Sequence, residues 1–105
     1  MFYRVTTPQH TFTLPISTSE CSVLQVTYSQ GCKKLVKEYA HGVAPSGMVL
    51  DDDMIIINLS QEETKGFSVG TVSVQVRVLT NSGRSYASKE FNVSVKKVNN
   101  DKILE

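Results

Sequence analysis

Asp51, Asp52 and Asp53 come nearest to chemistry by type and spacing, because a run of carboxylates can offer oxygen ligands to a hard cation such as Ca²⁺. Successive side chains diverge, however, and the run lacks the glycine-punctuated D-x-D-x-D-G alternation that wraps a calcium loop around its ion. The triplet therefore reads as a solvated turn. His10 and His41 have no partner at H-x-x-x-H or C-x-x-C spacing, the pattern of zinc sites, and both read as surface histidines in loop-like segments. A hydroxyl or thiol nucleophile needs an oriented base and an oxyanion donor. Serine and threonine are abundant, but neither a G-x-S-x-G elbow nor a cysteine in a catalytic context is present. Tyr3, Tyr28, Tyr39 and Tyr86, with no tryptophan, make a poor platform for stacking sugars, since two of the four fall on positions that face a core. The residues thus argue for a protein that is not an enzyme and has no cofactor and no metal.

Cys21 and Cys32 flank a predicted strand over Ser22–Ser29. Extended residues at about 3.3 Å each hold its ends roughly 26 Å apart, and a disulfide needs Cα atoms within about 7 Å. Pairing within one chain is excluded on that reading, and a reducing compartment is the simpler expectation.

The elements that would position any site are strands. Val72, Val74, Val76 and Val78 alternate with Ser73, Gln75 and Arg77, the period-two signature of a half-buried strand. Asn81-Ser82-Gly83 reverses the chain, and Phe91, Val93 and Val95 resume the alternation, so 70–80 and 85–95 read as a β-hairpin. Upstream, Phe12 and Leu14 share one face of a short opening edge strand over Thr11–Leu14, closed by Pro15, which cannot donate to a continuing ladder. Leu24, Val26 and Tyr28 align along the next strand. Lys33–Ala40 reads as a sheet edge, its lysines and Glu38 discouraging foreign strands. The glycines and proline of 41–50 predict a loop. Met54–Leu59 sets Ile55, Ile57 and Leu59 on one face and Ile56 on the other, which suits a strand covered on both sides or one set centrally. Ser60-Gln61-Glu62-Glu63 fits a capping box and predicts one helical turn, ended by Gly66, with Phe67 returning to the core. The expected fold is all-β, an immunoglobulin-like antiparallel β-sandwich with one short helical turn; a small barrel also accommodates the strand count. The predicted layout is an arm over 1–9, a sandwich over 10–98 and a tail over 99–105.

Composition agrees with one globular domain: 105 residues, 40% hydrophobic and 20% charged. Eleven Lys and Arg against ten Asp and Glu leave a formal charge of +1, too little for phosphate-backbone binding, so nucleic acid is not an expected partner. The longest aliphatic run, Met54–Ile57, falls far short of the roughly 20 residues that span a bilayer, so no membrane partner is expected. The first eight residues lack the apolar stretch of a secretory signal, and export is not expected either.

Met54-Ile-Ile-Ile-Asn-Leu-Ser-Gln-Glu-Glu-Thr64, then Gly70-Thr-Val-Ser-Val-Gln-Val-Arg-Val-Leu-Thr80, Ser82-Gly83-Arg84 and Phe91-Asn-Val-Ser-Val95, together resemble a known family. It is that of the small immunoglobulin-like structural proteins of tailed phages and prophages of Gram-positive bacteria, and more distantly the amino-terminal domain of baseplate upper proteins. Thr11-Phe-Thr-Leu-Pro15 and Val26-Thr-Tyr-Ser-Gln30 resemble that family's opening strands, so the likeness covers roughly residues 10–98. The resemblance implies a non-enzymatic tail or baseplate module, assembled in the bacterial cytoplasm into a virion, contacting other virion proteins and forming a homo-oligomer in the particle. The seven-residue leader and the two cysteines, Cys21 and Cys32, depart from that family's pattern. The alternative is a bacterial secreted or cell-surface β-sandwich that binds a protein or glycan through its loops.

Assembly directs attention to the two ends. Phe2, Tyr3 and Val5 make an apolar arm that can add to a neighbour's sheet edge, or else to the edge of its own sheet. Val98, Ile103 and Leu104 interrupt an otherwise polar tail and form the second expected contact.

Overall fold

The computed structural model describes residues 2–3, 6–40, 42–87 and 91–97. Its strands are β1 (Phe2–Tyr3), β2 (Gln9–Thr13), β3 (Cys21–Gln30), β4 (Lys33–Ala40), β5 (Met48–Asp51), β6 (Met54–Asn58), β7 (Gly70–Thr80), β8 (Ser85–Ala87) and β9 (Phe91–Lys96). One sheet runs β1-β9-β7-β3-β4, with β8 also on β7; the other runs β2-β6-β5. All pairs are antiparallel except β1, which lies parallel to β9 through Phe2↔Val95 and Tyr3↔Lys96. The fold is all-β, with two sheets in a sandwich-like arrangement.

The alternation seen in the sequence is what closes the sandwich. Val72, Val74, Val76 and Val78 of β7 pair beside Leu24, Val26 and Tyr28 of β3, and all seven are buried against Ile55 and Ile57 of β6. Removing each valine side chain from water contributes roughly 1.5–3 kcal/mol, so this ladder is a substantial source of stability. β6 is the central strand of its sheet, as its two-sided apolar pattern requires.

Chain reversal between the sheets falls to the helical turn α1 (Gln61–Lys65), which leads from β6 in one sheet to β7 in the other. Its capping box is complete: Glu63 N–H donates to Ser60 Oγ at 3.1 Å, and Ser60 N–H donates to Glu63 Oε1 at 2.9 Å. Phe67 then drops into the core. Thr64, fully buried, accepts from Thr6 N–H at 3.0 Å and donates to Thr6 O at 2.9 Å, tying the segment between β1 and β2 to the helix.

Three expectations need correction. The stretch 41–50 is not all loop: Met48–Asp51 forms β5, anchored by the buried Met48, and the glycine at position 47 permits the approach to β6. Lys37 is not a solvent-facing edge charge. It is 7% exposed, with its Nζ 2.6 Å from Glu63 Oε2 and donating to Ser46 O at 2.9 Å, so it pins β4 to α1. The 70–95 hairpin is also not continuous. Val78 pairs with Tyr86 but Val74 with Phe91, so the register against β7 shifts by one residue between β8 and β9.

Candidate functional site

Among the described residues, those able to do chemistry do not converge. Asp51 ends β5, and Asp52 and Asp53 make the two-residue turn into β6, with Asp52 at φ 52°. Their backbone carbonyls hold the β2–β3 connection: Thr18 N–H and Thr18 Oγ1 both donate to Asp52 O at 2.7 Å, and Leu14 N–H donates to Asp53 O at 2.7 Å. Among the described residues no three His, Cys, Asp or Glu side chains gather as metal ligands would. Cys21, buried, and Cys32, exposed, are free thiols at opposite ends of β3. Burial, and next the charge of Glu20, push the Cys21 thiol pKa up, away from reactivity.

His10 corrects the sequence reading. It lies in β2, not a loop, and its ring is enclosed between Phe2 and Tyr28, at 5.8 and 5.7 Å between centroids. Nδ1 shares a hydrogen bond of 2.8 Å with Tyr28 Oη, while the buried Nε2 has no partner among the described residues. Burial, and then the amino-terminal charge, lower the His10 pKa below its ordinary 6.5. Tyr28 is shifted upward by burial and then by Glu63, so its hydroxyl keeps its proton. The group is a polar pair inside an aromatic cluster that Phe67 completes. His41 lies outside the described residues.

Of the six residues predicted to make assembly contacts, two are described. Phe2 is 3% exposed and packs edge-on against His10 and Phe67, so it belongs to the chain's own core and is not presented to a neighbour. The alternative of an added strand in its own sheet is the one observed, because the parallel register with β9 turns Phe2 inward. Tyr3, one residue on, is 48% exposed at the sheet edge. Val5, Val98, Ile103 and Leu104 lie outside the described residues.

A surface that sequence reasoning missed runs along the side of the sandwich between β2 and the returning strands β8 and β9. Leu14, Pro15, Ile16, Val78 and Tyr86 line a largely apolar hollow of about 300 Å³. Leu14 also lines a second, of about 260 Å³, with Phe12, Val76 and Phe91. Tyr86 and Phe91 are each about half exposed, and Phe12 meets Phe91 at 6.3 Å between ring centroids. The sequence carried a signal for this. Tyr86 stands at an even position and Phe91, Val93 and Val95 at odd ones, so both can face the same side only if the register shifts by one residue between them. Such an arrangement can bind apolar or extended polypeptide surface; it presents no acid, base and nucleophile together.

Compared with protein-family models, curated proteins and solved structures, the chain has no significant match in any of the three. Among the described residues no helix is long and apolar enough to cross a membrane.

Proposed function

We propose that this chain is a non-enzymatic structural module of a tailed-phage or prophage particle, an immunoglobulin-like unit that works through contacts with other virion proteins and with copies of itself. The observation that carries the reading is the strand layout. Two sheets in a sandwich-like arrangement, with a first strand parallel to the last and a capped helical turn passing the chain to β7, support the immunoglobulin-like reading that the sequence resemblance implies. Support also comes from the chemistry: the polar and titratable side chains serve turns, caps and packing, whereas the unspent surface is sheet edge and exposed aromatic residues.

Its contacts are the exposed Tyr3 at the arm and the tail 99–105. Because Phe2 is a core residue, removing 1–7 tests the fold as well as assembly, so the informative variants are Tyr3→Ser and deletion of 99–105. Both should fold as the parent does yet enter particles poorly when supplied in place of it. Normal incorporation of both ends the assignment of these contacts.

A further inference from the structure

Among the described residues five strands have a neighbour on one side only, and four of them are protected against pairing with another chain. β4 carries Lys33, Lys34 and Glu38 at the surface, β5 is four residues long and ends on Asp51, β8 is three residues long, and β1 is two residues long. β2 is different. Gln9-His10-Thr11-Phe12-Thr13 contains no charge at neutral pH and no proline, and among the described residues it pairs on one side only, with β6.

The direction of its backbone groups follows from the bonds at its two ends. Leu59 N–H donates to Pro8 O at 3.1 Å, and Leu14 N–H donates to Asp53 O at 2.7 Å, so the even-numbered positions address the β6 side. By the alternation of an antiparallel ladder, Gln9, Thr11 and Thr13 then turn their amides and carbonyls outward, toward the free edge. Their side chains are exposed as well.

We infer that β2 is a homotypic pairing edge, on which β2 of a second copy of this chain adds antiparallel and joins two three-stranded sheets across a two-fold axis. Self-complementarity selects this occupant. Centring the register on Thr11 sets Gln9 opposite Thr13, His10 opposite Phe12 and Thr11 opposite Thr11, so no like charges meet and threonine faces threonine. The same register puts outward-directed odd positions against outward-directed odd positions, and each such pair exchanges two hydrogen bonds. A slip by one residue would set odd against even and lose them. The second strand would also run beside the hollow that Phe12 and Phe91 line, so apolar surface is covered together with the edge. An isologous contact of this kind closes at two copies. It is a property of the isolated chain and does not rest on the particle reading.

Sedimentation of the full chain over about 10 to 500 μM, in the range where weak homodimers form, tests it with two variants. The parent should pass from monomer to dimer. Thr11→Lys, on an exposed side chain at the two-fold centre, should raise the dissociation constant by at least about tenfold by opposing two like charges. Val36→Lys on β4, also exposed but on another edge, should leave dimerisation unchanged. Amide hydrogen exchange on the parent gives a readout that needs no variant: protection at the Thr11 amide should rise with protein concentration. A parent that stays monomeric, a Thr11→Lys variant that dimerises as the parent does, a Val36→Lys variant that dimerises as poorly as Thr11→Lys, or a Thr11 amide indifferent to concentration overturns the inference.

Discussion

Replacing Glu63 by glutamine separates the role of charge from the role of the helix cap. The amide oxygen of a glutamine can still accept from Ser60 N–H, so the capping box survives. What is lost is the anion 2.6 Å from the Lys37 ammonium, which is then left buried with the Ser46 carbonyl as its acceptor among the described residues. Removing one partner of a buried pair costs about 3–5 kcal/mol. The Glu63 side chain is 22% exposed, so water can partly reach the orphaned cation, and we expect a loss of about 2–3 kcal/mol. Lys37→Met should cost less, about 1 kcal/mol, because an apolar side chain of similar length fills the channel, Glu63 can hydrate, and the Ser46 carbonyl loses one hydrogen bond. The double variant should match Lys37→Met. Urea titrations of the four proteins measure this directly. The pH dependence adds a second check. Burial alone would raise the Glu63 pKa, but hydrogen bonds from Lys37 and Ser60 and the Lys37 charge together bring it below its ordinary 4.5. The stability it contributes is thus full above about pH 4.5 and lost as pH falls through the lower folded value, and Glu63→Gln should lack that part of the acid slope. The reasoning fails if Lys37→Met is as destabilising as Glu63→Gln, or if Glu63→Gln costs under about half a kcal/mol.

Two further outcomes test the packing. Gly47→Ala should lose at least about 2 kcal/mol in a urea or thermal melt, because at φ 81° the new Cβ would stand 2.3 Å from the Asn58 carbonyl oxygen, whereas Gly31→Ala, at φ 58° in open space, should lose only about 1 kcal/mol. His10 holds fewer protons folded than unfolded between its lowered value and 6.5, so stability should be full above about pH 6.5 and decline as pH falls toward that lowered value; His10→Phe should flatten this decline, and an unchanged slope in the variant would remove His10 as its source.

Much of the fold was legible because side-chain alternation and burial are the same fact seen twice. The β7 valines, the Leu24-Val26-Tyr28 row and the Ser60 capping box each state their environment locally. β5 and β1 were harder, since four residues with one buried anchor and two residues with one buried ring offer no periodicity to read. Lys37 was misjudged by type although its position was informative: it shares odd numbering with Leu35 and Tyr39, both packed on the core, so its ammonium had to find a partner inside. His10 was likewise hidden, because its partners Phe2, Tyr28 and Phe67 are distant in sequence and meet only when the sheets close. That Thr11–Leu14 lies at a sheet edge was legible from the proline that closes it, and β2 is an outer strand of its sheet, but which of its two sides stays open was not. An edge is defined by which strand fails to arrive beside it, and that is a property of topology.

The central claim is that this sandwich is a building block of a phage or prophage particle. Quantitative mass spectrometry of particles purified from the source strain on a density gradient tests it most directly. The account predicts this chain in the particle fraction at several copies per virion, co-migrating with tail proteins; its absence from intact particles, with the chain recovered instead from the culture medium or the cell surface without lysis, would contradict it.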